Sequence, residues 1–310
     1  MTMATLPNHD GTAAGREARL MRLATYAAIG SACLLILVKL VAWLMTGSVA
    51  VLSSLTDSML DAVASVVTML AVRHSLTPAD REHRFGHGKA EPLSGLIQAA
   101  FVAGSGALLI AEAISRVYED EPVQNEGVGI AVMIFTIAVT MGLVRFQKYV
   151  VLHTRSVAIN ADSLHYTGDV LINGGVLLSL VLSAWLGWRF LDPLFGAGIA
   201  VYLLVNAYRI GRDSFDLLMD RELSDDERKR IRAIVMAHPD VRALHDLRTR
   251  SAGRQTFIQG HVEMDGDITL MRAHTIGDEV EAALLKEFPG AEVMIHQDPA
   301  GIEEPRPRFG

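Results

Sequence analysis

Asp57 and Asp61 stand four residues apart, and so do His165 and Asp169. Each pair sits inside an apolar run, VLSSLTDSMLDAVASVVTML and ADSLHYTGDVLINGGVLLSLVL. That spacing places both side chains of a pair on one helix face, about one turn apart. Ionisable groups are costly in a bilayer and mark ion pathways. A single Asp or His in such a run reads as a cap or a satisfied core residue; two pairs at one spacing do not. Three carboxylates and one imidazole, two from each of two helices, suffice for tetrahedral Zn2+. The imidazole favours Zn2+, Fe2+, Co2+ or Cd2+ over Mg2+ or Ca2+. Such ligands bind metal when deprotonated, so metal entry releases protons. A histidine titrating near neutrality lets one site alternate between metal and H+. Asn173, one turn beyond Asp169, is expected either to support the site or to bond between helices.

Two further groups carry ligand chemistry. In PADREHRFGHGKAEP (78–92), Asp80, His83 and His87 follow one another at spacings of three and four. Spacing alone leaves this as a one-metal loop or a solvated polar loop. In the last third lie His245, His261, His274, His296 and Asp298. His245, His261 and His296 fall in predicted strands, and strand neighbours lie about 5 Å apart, so these side chains can converge. His296 and Asp298 share one side of their strand. Spacing by itself favours scattered surface histidines here.

The elements that must hold these residues follow from hydropathy. The chain of 310 residues is 50% hydrophobic, with a mean hydropathy of +0.29. The apolar runs crowd into 24–210, between a polar leader (1–22) and a charged C-terminal third. Six membrane helices of about 20 residues each are predicted near 24–45, 49–73, 93–117, 127–149, 158–186 and 190–210. The breaks are Gly47, the polar stretch 74–92, the acidic stretch 118–126, the segment 150–157, and Gly187 to Pro193. The first run is too long, and too poor in a cleavage site, for a signal peptide. Arg16, Arg19 and Arg22, then Arg73, Arg81, Arg84 and Lys89, then Arg145, Lys148 and Arg155 concentrate on one side of the predicted bundle. By the positive-inside rule both termini are cytoplasmic. Lys39, inside the first run, must snorkel or pair with a buried acid. The net charge of −7 offers no basic surface for nucleic acid. The one cysteine, Cys33, excludes an intrachain disulfide and a thiolate zinc site.

From Ser224 the period changes. SDDERKRIRAIVMAH opens with a capping box, Ser224 and Glu227, and continues as a helix. VRALHDLRTRS and RQTFIQGHVEM read as strands around an Ala252–Gly253 turn. ITLMRAHTIGDEVEAALLKEF is a second helix, and AEVMIHQD is a strand ended by Pro299. The order αββαβ predicts a small α+β domain with helices on one face. The domain plan is thus a leader (1–22), a six-helix membrane domain (23–211), a cytoplasmic metal-binding domain (212–298) and a loose tail (299–310).

The stretches TGSVAVLSSLTDSMLD, SLTPADREHRFGHGKAE, ADSLHYTGDVLINGG, HDLRTR, FIQGHVEM and FPGAEVMIHQDP resemble the cation diffusion facilitator family, in particular its bacterial ferrous-iron/zinc efflux pump branch. They spread over residues 46–299. The resemblance implies a homodimer in the bacterial inner membrane, six transmembrane helices per protomer and a metallochaperone-like cytoplasmic αββαβ domain. It implies export of divalent metal in exchange for protons. On the matching positions, Asp57, Asp61, His165 and Asp169 correspond to the transport site, and Asp80, His83 and His87 to the loop site. His245, His261, His296, Gln297 and Asp298 correspond to a two-metal site at the dimer interface, with His274 nearby, and Lys89 and Asp220 to a salt bridge that locks the dimer. The leader and the PRPRFG tail have no counterpart and receive no role.

The reading is a proton-coupled antiporter for Zn2+, with Fe2+ and Cd2+ as further cargo, and with Zn2+ also as a structural or regulatory ion. A membrane-anchored metal sensor needs no charged quartet inside the bilayer. A channel needs sites weak enough to release ions quickly, which an Asp3His cage is not. HExxH, nucleophile-elbow and phosphate-loop motifs are absent from the sequence, which argues against an enzyme.

Overall fold

The computed structural model describes residues 11–47, 49–118, 127–186, 191–253 and 255–301. The first ten residues of the leader, most of the acidic stretch 118–126, the break at Gly187 and the tail beyond 301 lie outside the described residues. Contacts divide the chain into a helical unit, Ala13–Phe215, and a second unit that begins at Asp216.

Six long helices build the first unit: α1 (Gly11–Thr46), α2 (Val49–Ser75), α3 (Ala90–Tyr118), α4 (Gly127–Thr154), α5 (Val157–Leu186) and α6 (Leu191–Leu218). Among the described residues, five are long and apolar enough to cross a membrane: α1, α2, α3, α4 and α6. The remaining helix, α5, is 30 residues long and carries Asp162, His165 and Asp169 in its first half. Several helices outrun their apolar stretches. α1 begins at Gly11, inside the segment read as leader, and its Met21 and Ala24 are buried against Val72, Val150, Ala158 and Ile159. Hydropathy ends where lipid would end; good helix formers such as Arg and Glu carry the helix further.

The packing is inverted relative to a soluble bundle. The interior holds small and polar residues, among them Ala64, Ser65, Thr68, Ala99, Thr140 and Ala161, all buried. Large apolar side chains such as Leu37, Leu44, Leu108 and Val201 point outward. Small residues let helix backbones approach closely where lipid removes the usual hydrophobic drive. α5 is the central helix. Ala161 and Leu164 pack on Ala99 and Val102 of α3 and on Leu203, Ala207 and Ile210 of α6. Tyr166 packs on Ala28 of α1 and on Leu143 and Val144 of α4, and its hydroxyl pairs with Ser65 Oγ of α2 at 2.8 Å.

Three devices fix helix ends in this unit. Gly47 ends α1 at φ +61°, and its N–H donates to Trp43 O at 2.7 Å, a left-handed cap that glycine adopts without strain. Arg155 takes φ +53° in the short turn from α4 to α5. Buried Glu91, in the first turn of α3, accepts from Ser75 at the end of α2 (3.4 Å) and from Ser156 just before α5. A carboxylate there also faces the positive end of the α3 dipole.

The second unit has the predicted order: α7 (Asp225–Met236), β1 (Val241–Ala252), β2 (Gln255–Met264), α8 (Leu270–Glu287) and β3 (Glu292–Pro299). The capping box forms as read from the sequence: Ser224 N donates to Glu227 Oε2 at 3.1 Å, and Glu227 N donates to Ser224 Oγ at 3.4 Å. β2 is central, antiparallel to β1 and parallel to β3, with α8 as the crossover. Ile231 and Val235 of α7, with Ile276, Val280 and Leu284 of α8, share one core with Val241, Leu244, Ile258 and Val262. Both helices therefore cover one face of the sheet, and the other face is left for polar residues.

Candidate metal centres

In the helical unit α2 and α5 bring Asp61, His165 and Asp169 together, with ligand atoms within 4.8 Å of one another. His165 Nε2 lies 2.9 Å from Asp61 Oδ1. The side chains of His165 and Asp61 are 10% and 18% exposed, so the cluster is nearly enclosed yet reachable. Asp57, one turn earlier on α2, is exposed and stands outside this triad. Asn173 Nδ2 donates to Asp169 O of its own helix at 2.8 Å.

Sequence reasoning singled out Lys39 near the triad and passed over Asp162, Gln98 and Gln147. Lys39 resolves the choice left open for it: it is buried, and its Nζ donates across α1 and α2 to Ser58 Oγ (2.7 Å) and Ser54 O (3.1 Å). Asp61, Asp169 and Asp57 lie within its electrostatic reach. Asp162, one turn before His165, is also buried, and each of its oxygens accepts from a glutamine amide. Gln147 Nε2 of α4 donates at 2.6 Å and Gln98 Nε2 of α3 at 3.2 Å. Gln98 also reaches Ala64 O and Thr68 Oγ1 of α2. A carboxylate so held ties four helices. The available signal was an acid and two glutamines inside apolar runs.

The loop between α2 and α3 gathers Asp80, His83 and His87, again with ligand atoms within 4.8 Å. Asp80 Oδ1 accepts from the backbone N–H groups of Glu82 (2.9 Å) and His83 (2.6 Å), a local turn that aspartate favours. Asp80 Oδ2 is 3.4 Å from His87 Nε2, and Oδ1 is 3.5 Å from His83 Nδ1. The Asp80 carboxyl is held below the ordinary carboxylate range, chiefly by the His83 N–H, then by the Glu82 N–H and the two imidazoles. His74, not singled out in the sequence, places its ring 4.4 Å from that of His87.

In the sheet, register does what spacing could not. His245 pairs with His261 on β1 and β2, and His261 with His296 on β2 and β3, so three histidines form one row. Asp298 closes it: Oδ2 lies 2.9 Å from His261 Nδ1 and 3.2 Å from His245 Nε2, and Oδ1 lies 3.1 Å from His296 Nε2. His245, His261 and Asp298 meet the same 4.8 Å criterion as the other groups. These nitrogen and oxygen donors, with Asp298 only 8% exposed, fit a borderline divalent ion. Two acids join without having been read from the sequence. Glu263 Oε1 is 3.0 Å from His245 Nδ1. Asp246, at φ +45° where β1 breaks register, brings Oδ2 to 3.9 Å from His261 Nε2. Two expected members stand apart. Gln297 points to the helix-covered face, its amide against Gly277. His274 is on α8, 3.6 Å from Asp278 Oδ2. Asp220 faces Arg250 at 3.3 Å, and Lys89 is half-buried just ahead of α3.

Comparisons with known proteins agree with this division. The cation efflux transmembrane domain matches residues 25–219, and the cytoplasmic domain of cation efflux proteins matches residues 223–300. The cation-efflux pump FieF of Klebsiella pneumoniae is 47% identical over 284 residues, 92% of this chain and 94% of that protein. FieF of Serratia proteamaculans is 47% identical over 285 residues, 92% of this chain and 95% of that protein. Among solved structures, the zinc form of the putative zinc transporter CzrB is 36% identical, covers 28% of this chain and 99% of its own, and has a TM-score of 0.26. The metal-bound C-terminal domain of CzcD from Thermotoga maritima is 28% identical, covers 26% of this chain and all of its own, with a TM-score of 0.25. The chain is a transporter rather than an enzyme, and it belongs to the cation diffusion facilitator family, in the ferrous-iron/zinc efflux branch.

Proposed function

We propose that the protein exports Zn2+, with Fe2+ and Cd2+ as further cargo, from the bacterial cytoplasm in exchange for protons, as an inner-membrane homodimer with both termini cytoplasmic. The observation that carries this reading is the contact of His165 Nε2 with Asp61 Oδ1 inside the bundle, beside Asp169. Metal and proton need the same lone pairs, so each displaces the other, and the coupling is reciprocal. Cargo enters when Asp61, His165 and Asp169 are deprotonated, and Asp57 completes the shell from one turn away on α2. After the bundle rocks outward, protons reaching His165 and a carboxylate release it.

The other sites support this cycle rather than form the path. The histidine row of the sheet holds Zn2+ between protomers, with His245, His261, His296 and Asp298 as ligands, and stabilises the paired cytoplasmic domains. Lys89 and Asp220 fasten the dimer at the membrane surface. The test is metal uptake into proteoliposomes with and without an imposed pH gradient. Uptake that follows the gradient, with proton movement the other way, supports antiport. Metal flux indifferent to the gradient overturns it.

A further inference from the structure

We infer that His74 is a fourth ligand of the loop site, making it a three-imidazole, one-carboxylate centre for a divalent transition ion; this rests on the reading of Asp80, His83 and His87 as a metal site. His87 is the middle of the group. Its ring centroid lies 4.6 Å from that of His83 and 4.4 Å from that of His74. Its side chain is 3% exposed. With Nδ1 protonated, His87 donates to Thr77 O at 3.4 Å and turns the lone pair of Nε2 toward Asp80. A histidine anchored in that way through its other nitrogen is poised as a ligand.

Three ligands leave a tetrahedral ion one short. His74 is the residue placed to fill the gap. It sits in the last turn of α2, and Thr77 N donates to His74 O at 3.0 Å, so the chain folds back over it. Its ring meets His87 edge to face at 68°. His74 is exposed, which leaves its side chain room to rotate. Metal–nitrogen bonds of about 2.0–2.1 Å set tetrahedral ligand atoms roughly 3.3 Å apart. The His74 ring centroid is 4.4 Å from that of His87, while His74 stands outside the group whose ligand atoms already lie within 4.8 Å of one another, so its ring must rotate to join them. Nitrogen-rich donors of this kind select Zn2+ or Co2+ over Mg2+, Ca2+ and Mn2+. The consequence is structural as well as chemical. Metal at the loop pins the end of α2, the helix that carries Asp57 and Asp61, to the segment leading into α3.

The experiment uses the full chain in lipid nanodiscs, loaded with Co2+, with bound ions counted and the visible spectrum recorded. Four variants are compared with the parent: Asp80→Ala, His74→Gln, His74→Cys, and His74→Cys with Asp80→Ala. Asp80→Ala is expected to lose one ion per chain. His74→Gln is expected to weaken that ion by at least about tenfold and to reduce the intense absorption of four-coordinate Co2+. His74→Cys is expected to show a thiolate-to-Co2+ charge-transfer band that vanishes when Asp80 is also replaced. The fourth ligand is overturned if Asp80→Ala loses the ion while His74→Gln keeps parental affinity and spectrum and His74→Cys shows no such band. If Asp80→Ala loses no ion, the loop site itself is wrong, and the fourth ligand falls with it.

Discussion

His165 Nε2 lies 2.9 Å from Asp61 Oδ1, across α5 and α2 and 104 residues apart in sequence. That single contact ties the helix bearing two carboxylates to the one bearing the imidazole. It also brings an imidazole and a carboxylate of the proposed cargo site into direct contact. His165→Asp should therefore alter two properties together. The metal ranking should move from Zn2+ toward harder ions such as Mn2+, because nitrogen is replaced by oxygen. The pH at which uptake is half-maximal should fall, since a carboxyl ordinarily titrates about two units or more below an imidazole. Vesicle uptake with several metals across a pH series checks both, and an unchanged ranking and profile would remove His165 from the shell.

Asp57 is the residue that the proposed cargo shell requires to move. It is exposed in α2, outside the triad that its partners form. If cargo draws it in, Asp57→Asn should weaken Zn2+ binding by at least about tenfold, or roughly 1.4 kcal/mol. Global unfolding should change little, since an exposed side chain supports few contacts. Calorimetric Zn2+ titration beside a thermal melt separates the two, and equal affinity would leave the triad as the whole site.

Lys39 is a buried cation bonded to Ser58 and Ser54 near three carboxylates. A fixed positive charge there opposes an incoming dication and partly neutralises the empty site. Lys39→Met keeps the volume and removes the charge. Zn2+ affinity is expected to rise about tenfold, a 1.4 kcal/mol effect, while turnover drops because release is harder. Unchanged or weaker binding in a folded variant would refute this opposition.

Asp162 is expected to behave differently although it is three residues from His165. It accepts from Gln98 and Gln147 and so joins α3 and α4 to α5. Asp162→Ala takes the acceptor from the buried Gln147 amide, while Gln98 keeps Ala64 O and Thr68 Oγ1, and should cost about 1–3 kcal/mol, seen as a lower melting temperature in detergent. The metal ranking of the surviving protein should stay as it was. A shifted ranking would promote Asp162 to the cargo path.

The cytoplasmic row should regulate rather than transport. Replacing His261 and Asp298 by Ala removes the two partners of the 2.9 Å contact at its centre. Bound metal should drop in ion counting and domain pairing should weaken, since a ligand that binds only the paired state stabilises it by mass action. Uptake should fall yet remain measurable, with its metal ranking intact. Complete loss in a folded dimer would place the row on the path.

The sequence by itself determined what periodicity and local chemistry carry. The four-residue spacing of Asp57 with Asp61 and of His165 with Asp169, the apolar helices, the Ser224–Glu227 capping box and the αββαβ order are all local patterns, fixed by 3.6- and two-residue repeats. Only the tertiary structure decided which ligands meet. The row His245–His261–His296 depends on strand register, which pairs residues far apart in sequence and which one slipped residue would scatter. The bulge that brings Asp246 toward His261, and the alternation that turns Gln297 onto Gly277, come from the same sheet. The separation of Asp57 from its partners, the amide cage around Asp162 and the approach of His74 to His87 depend on how neighbouring segments pack. Spacing along one helix says which face a side chain occupies; only packing says what stands opposite it.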